Sequence, residues 1–191
     1  MMMKELLQTA ANVLFLVLLF PVALLSGFGR CWPVFDFFAQ TCALVPGIVG
    51  RYARRAYYVM TLDRCSLRSC IAFGSYFLDS QTEVGEGVYV GPNCVIGRSR
   101  IGARTLIGCN VHVFVGRRQH ARDAEGRLSE GKQEMLRKIN IGEDCWIGTS
   151  AVIMEDIGDR TTIGAGAVVT KEVPDDVVAV GIPARIIQSS S

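Results

Sequence analysis

Histidine is scarce in this chain. There are two among 191 residues, His112 and His120, and both fall in one stretch, IGCNVHVFVGRRQHARD, at 107–123. A zinc site built on imidazoles takes about three of them, so metal chemistry of that kind is not expected. The seven cysteines, Cys31, Cys42, Cys65, Cys70, Cys94, Cys109 and Cys145, are odd in number and form no C-x-x-C pair. That pattern argues against a disulfide framework and against a zinc site on cysteine pairs. The thiols read as small buried or half-buried residues in a reducing compartment. Charge of one sign is missing too: a formal net charge of +2 supplies no broad basic field, and no nucleic-acid partner is expected.

Apolar residues make up half of the chain, and their excess sits in its first quarter. Residues 10–28, AANVLFLVLLFPVALLSGF, carry no charge. At about 1.5 Å per helical residue this run nearly crosses a bilayer core of about 30 Å, with Pro21 expected to kink it. A second, weaker stretch from Trp32 to Gly50 contains Asp36, Gln40 and Thr41 and leads into RYARR. A cleaved signal peptide, a single anchor, and a helical hairpin or span with an interfacial helix all fit. The free cysteines argue against the first. In the third arrangement, which we prefer, Arg51, Arg54 and Arg55 meet anionic headgroups, and Tyr57 and Tyr58 anchor at the interface. Residues 1–60 are therefore expected to form a helical membrane-anchoring segment on the cytoplasmic face of the inner membrane.

From residue 84 an internal period of six appears. Val84, Val90 and Ile96 follow it, as do Ile101, Ile107 and Val113 after one shorter step. It resumes at Ile141, Ile147 and Ile153 and continues at Ile157, Ile163 and Val169. Glycine follows most of these residues. Six fits neither a helix nor one strand. It fits short strands joined by corners, three to a triangular coil, with coils stacked at strand spacing of about 4.8 Å. The glycines are expected to supply positive φ at the corners. Val88, Cys94, Thr105, Val111, Cys145 and Ala151 are expected at a second semi-inward position. End coils need covering, and 61–83 and 174–188 are candidates.

These residues resemble the hexapeptide-repeat acyltransferases, a family with a left-handed parallel β-helix, over about residues 70–187. The most specific part is 139–187, where CWIG, IGAGAVVTKEVP and VGIPARII are similar to the C-terminal signature of sugar and antibiotic O-acetyltransferases. ALVPG and RRAYYVMTLDRC resemble a membrane-associated branch found with surface-polysaccharide biosynthesis. The resemblance implies a mainly β domain over 61–191 and a homotrimer. It also implies acetyl transfer from acetyl-CoA to a sugar hydroxyl or amine of a polysaccharide or lipid-linked precursor.

Between Val115 and Ile139 the period stops at a polar stretch, expected as a loop excursion over 116–138 that is long enough to suggest function. Acyl transfer from a thioester requires removal of the acceptor's proton, and an imidazole with an ordinary pKa of about 6.5 suits that task. In the family a loop histidine does this at a subunit interface, which points to His120 as general base. His112 is the rival, or it orients the acceptor or His120. Asp123, Glu125 and Glu134 could each hold the imidazole tautomer. A backbone N–H at a glycine corner is the expected oxyanion donor. By resemblance Thr149, Ala165, Thr170, Lys171 and Arg185 line the coenzyme A groove, the last two suited to its phosphates. Trp146 resembles an aromatic wall beside the acyl group, and Asn110 is a candidate for the acceptor. Arg117 and Arg118 read as solvated or as meeting an anionic group. Two other functions remain open: a non-catalytic trimeric scaffold, and a metal-dependent hydratase on the same fold.

Overall fold

In the computed structural model of the chain, residues 2–114, 120–122, 127–130 and 137–189 are described, without the side chains of 2–5, 120–122, 128–130 and 189. Three helices come first: α1 (Met2–Leu25), α2 (Trp32–Ala43) and α3 (Gly47–Thr61). Strands follow three to a coil. The first coil holds β1 (Arg64–Cys65), β2 (Cys70–Ile71) and β3 (Tyr76–Phe77), and the second β4 (Glu83–Val84), β5 (Tyr89–Val90) and β6 (Val95–Ile96). The third holds β7 (Ser99–Ile101), β8 (Leu106–Ile107) and β9 (His112–Val113). An antiparallel hairpin, β10 (His120–Arg122) and β11 (Leu128–Glu130), interrupts the winding. It resumes with β12 (Ile139–Ile141), β13 (Trp146–Ile147) and β14 (Val152–Ile153), then β15 (Thr162–Ile163) and β16 (Val168–Val169). β17 (Val177–Val180) closes the stack, with β18 (Arg185–Ser189) antiparallel to it.

The strands stack into three parallel faces. The first is β1-β4-β7-β12, prolonged by bridges at Ile157 and Val173; the second is β2-β5-β8-β13-β15-β17; the third is β3-β6-β9-β14-β16. These are the stacked triangular coils that the period of six implies, and the architecture is the left-handed parallel β-helix that the family resemblance implies. Every inward residue from Val84 to Val169 is at most 2% exposed, and together they form one continuous core.

The glycines play a different part from the one expected. Those after the inward residues do not have positive φ; the left-handed positions are two residues later, at Asn93, Arg104, Asn110, Asp144, Ser150, Arg160 and Asp176, and at Gly87 and Gly166. The glycines are there because the coils approach closely. A Cβ on Gly91 would lie 2.5 Å from the Gly108 carbonyl oxygen, and one on Gly102 2.5 Å from the Glu143 nitrogen.

The second inward position also has a logic beyond size. Ser75, Thr105 and Thr161 hydroxyls donate to the carbonyls of Gly91, Gly142 and Pro174 on the next coil. The Cys94 and Cys145 thiols donate to Gly108 and Gly158 at 3.0 Å each. A small donor here satisfies a corner carbonyl that burial would otherwise leave unpaired. Burial raises the pKa of both thiols. All seven cysteines are free, but Cys31 is exposed rather than buried.

The N-terminal expectations need three corrections. Residues 61–83 are not a cap: they contain the first coil, with Ile71 and Phe77 fully buried. Its end is covered instead by α2 and α3, which pack on β3 and on β1 and β2. Tyr57 and Tyr58 are not interface anchors, since both are fully buried. Arg54 and Arg55 do not face headgroups. The Arg54 guanidinium is 1% exposed and donates to the carbonyls of Cys42, Val45 and Ile71, while Arg55 donates to Leu67 and Ser69. Arg51 alone of the three is exposed. Continuous through Pro21, α1 contains one stretch, Leu6–Leu25, long and apolar enough to cross a membrane. The stretch from Trp32 to Gly50 is split between α2 and α3, and Phe35 and Ala39 are buried in the protein.

Candidate functional site

Two of the three corners keep the step of six throughout, and all variation in length falls on the third, between the third face and the first. That corner separates Phe77 from Val84, Ile96 from Ile101, Ile153 from Ile157 and Val169 from Val173. The shorter step noted in the sequence, Ile96 to Ile101, is therefore one of several confined to one edge. The excursion leaves from the same edge, after Val113 and Phe114, and returns at Arg137. Its base is held by ion pairs: Arg137 to Glu155 at 2.6 Å and Asp156 at 2.7 Å, and Lys138 to Glu83 at 2.7 Å. Arg100 also donates twice to Glu83. Hydrogen bonds from Arg100, then Lys138, depress the Glu83 carboxyl to about 2. The sequence reading missed Arg137 and Lys138 because their partners are distant in the chain.

His120 begins β10, and its backbone pairs with Glu130 across the hairpin. Its side chain lies outside the described residues, as do Arg117, Arg118, Asp123, Glu125 and Glu134. His112 is half-buried on the third face, on β9 between Val95 and Val152, with its ring edge-on to Phe114 at 5.6 Å.

The corner between the second and third faces gathers three of the expected site residues. Asn110, Thr149 and Ala165 are exposed there on the third, fourth and fifth coils. Asn110 takes the left-handed conformation at φ +55, which asparagine tolerates better than most residues. A Cβ on Gly108 would touch Thr149, and one on Gly148 would strike the Ala165 nitrogen, so this column is tightly stacked backbone. His112 flanks it on the third face and Trp146, 60% exposed, on the second. Thr170 and Lys171 lie beyond β16 at the far end of the third face, away from this column, and Arg185 is exposed on β18. Five of the eight side chains thus gather at or beside this corner, and Arg185 pairs with Val180, which packs against Gly164 next to Ala165.

The faces differ in what they show to solvent. On the second, Tyr89, Leu106 and Trp146 stand in register on neighbouring strands, 40%, 51% and 60% exposed. The first carries the Glu83, Arg100 and Lys138 pairs instead. A contiguous exposed apolar stripe is the kind of surface a partner covers. Among the described residues no group of three or more His, Cys, Asp or Glu could hold a metal ion.

Comparison with known proteins agrees with this architecture. Residues 138–171 match the family model described as bacterial transferase hexapeptide (six repeats). The galactoside O-acetyltransferase of Escherichia coli strain K12 is 36% identical over 114 residues, covering 57% of this chain and 54% of that protein. The chain spans about half the length of the curated relatives it matches. A galactoside acetyltransferase solved in complex with coenzyme A superposes with a TM-score of 0.69 at 26% identity, covering 85% of this chain and 84% of the other. A hexapeptide-repeat acetyltransferase from Vibrio cholerae superposes equally, TM-score 0.69, at 24% identity, over 83% of this chain and 92% of its own. The chain thus carries a transferase hexapeptide repeat over residues 138–171 and shares the left-handed β-helix fold of these acetyltransferases.

Proposed function

We propose that the chain is a CoA-dependent acyltransferase that moves an acetyl group from acetyl-CoA to a sugar hydroxyl. The observation that carries this reading is the single broken edge of the coil. The winding stops at one corner to release a hairpin that begins at His120, while Asn110, Thr149 and Ala165 line a neighbouring exposed corner over three coils. The galactoside acetyltransferase that superposes on this chain was solved with coenzyme A.

In this reading His120 removes the acceptor hydroxyl proton as the oxygen attacks the thioester carbonyl. The tetrahedral oxyanion takes hydrogen bonds from backbone N–H groups at a glycine corner. Collapse expels the CoA thiolate, which recovers the proton from the imidazolium. The thioester is already activated, so no enzyme nucleophile or metal is needed. Asn110 and His112 orient the acceptor, Trp146 walls the acetyl group, and Thr149, Ala165 and Thr170 follow the cofactor. Lys171 and Arg185, both exposed, pair with its phosphates.

Three copies complete the site. The stripe of Tyr89, Leu106 and Trp146 supports a homotrimer whose interfaces cover the second face, as the charged first face does not favour. Attachment of α1 to the cytoplasmic face of the inner membrane would hold the enzyme beside a lipid-linked precursor of a surface polysaccharide and raise its effective concentration. Thiol release from acetyl-CoA across a panel of sugars and lipid-linked sugars tests the reading. No release with any acceptor would leave the β-helix as a scaffold.

A further inference from the structure

A cavity of about 540 Å³ lies where the helical segment meets the first coils, outside the corner column. This volume is in the range of about 300–1,000 Å³ common for small-molecule sites. Its wall runs from the turn after α1, with Arg30, through Trp32 at the start of α2, to Asp63 and the coil edge at Asp79, Gln81 and Arg98. The walls are held in place. The Trp32 indole N–H donates to the Leu78 carbonyl at 3.3 Å, and the Asp63 N–H donates to Ser80 at 2.8 Å. Gly29, at φ +88, sits so close that a Cβ would run into the Thr61 carbonyl. The two arginines and two aspartates balance in charge, and Arg98 donates to Asp79 at 2.8 Å with both mostly buried. Such a lining disfavours a phosphate and suits an uncharged polyhydroxyl ligand. The half-exposed Trp32 ring offers a flat apolar surface for a pyranose, and the exposed Gln81 amide both donates and accepts.

Position narrows the class further. The cavity opens just past Leu25, where the apolar run of α1 ends. It also lies along the edge from which the hairpin departs, and Lys138 at the hairpin's return reaches Asp63 in the cavity wall at 3.7 Å. We infer that this cavity is a carbohydrate subsite for the uncharged sugar headgroup of a membrane-anchored acceptor. The purpose of that sugar rests on the acetyl-transfer reading; its binding does not.

The test uses the full chain carrying Trp146→Phe, so that Trp32 is the sole tryptophan of the two. The protein is placed in nanodiscs of phosphatidylethanolamine and phosphatidylglycerol, with or without monoglucosyl diacylglycerol. A second arm adds soluble maltose to glycolipid-free discs. A saturable change in Trp32 emission with the glucosyl lipid is expected. Gln81→Ala and Arg30→Ala, both at exposed side chains, should weaken it about tenfold at unchanged melting temperature, the loss of one hydrogen bond or so. Saturation by maltose alone would overturn the membrane-anchored part. No saturable change in either arm, or equal binding by both variants, would overturn the subsite. Binding here together with no acetyl transfer by the wild-type chain, which keeps Trp146, would retire the acetyltransferase reading and leave the subsite standing.

Discussion

The Arg54 guanidinium, buried beneath α2, donates to the Ile71 carbonyl of the first coil at 2.9 Å. The same group donates to Cys42 at 3.0 Å, near the C-terminus of α2, and to Val45 at 2.8 Å in the turn that follows. Burial pulls its pKa below the ordinary arginine value. One side chain therefore ties the helical segment to the β-helix. Arg54→Leu keeps the volume but removes the guanidinium hydrogen bonds to three carbonyls, of which only Cys42 keeps a backbone donor, the Val45 N–H. It should cost about 3 kcal/mol or more, read as a loss of melting temperature in detergent, whereas Arg51→Leu at the exposed neighbour should cost under about 0.5 kcal/mol.

Corner glycines and left-handed corner residues should respond oppositely. Gly102→Ala pushes a methyl against the Glu143 backbone and should destabilise by about 2–3 kcal/mol, as overpacking does. Ser150→Gly, at φ +60, relieves a strained conformation and should stay within about 1 kcal/mol of neutral. Paired denaturant titrations check both.

Glu83 gives the fold an acid-side signature. Its folded pKa is depressed to about 2 by Arg100 and Lys138, below the unfolded value of about 4.3. The stabilisation is therefore complete above the unfolded pKa and is lost as pH falls towards 2. Glu83→Gln should flatten the fall in melting temperature between those values and loosen the return of the excursion, which depends on Lys138.

The apolar stripe predicts assembly. Leu106→Glu, at a position 51% exposed and flanked in register by Tyr89 and Trp146, should leave the coil folded but dissociate the proposed trimer. Light scattering after size exclusion reads this directly, and activity should fall with the trimer fraction.

The inward residues were legible because their step of six cannot come from a helix or a lone strand, and each of them is buried. The first coil was not, because Cys65, Ile71 and Phe77 have no glycine after them. The glycines themselves misled: sterics between coils and a positive φ both demand glycine, and only coordinates separate the two. Arg54, Arg55, Tyr57 and Tyr58 looked like a membrane interface because charge beside aromatics is its pattern; their burial depends on carbonyls brought close by the fold. Of the candidate site, the corner column was readable through the family signature. The ion pairs at the base of the excursion were not, since Lys138 and Glu83 meet only when the coil is wound.

The most direct test is thiol release from acetyl-CoA by the full chain with its best acceptor, comparing wild type, His120→Ala and His112→Ala. If His120 is the base, its loss should lower kcat by about 10²–10⁴ with little change in KM for acetyl-CoA, while His112→Ala acts mainly on KM for the acceptor. Full activity in His120→Ala with none in His112→Ala would contradict the account.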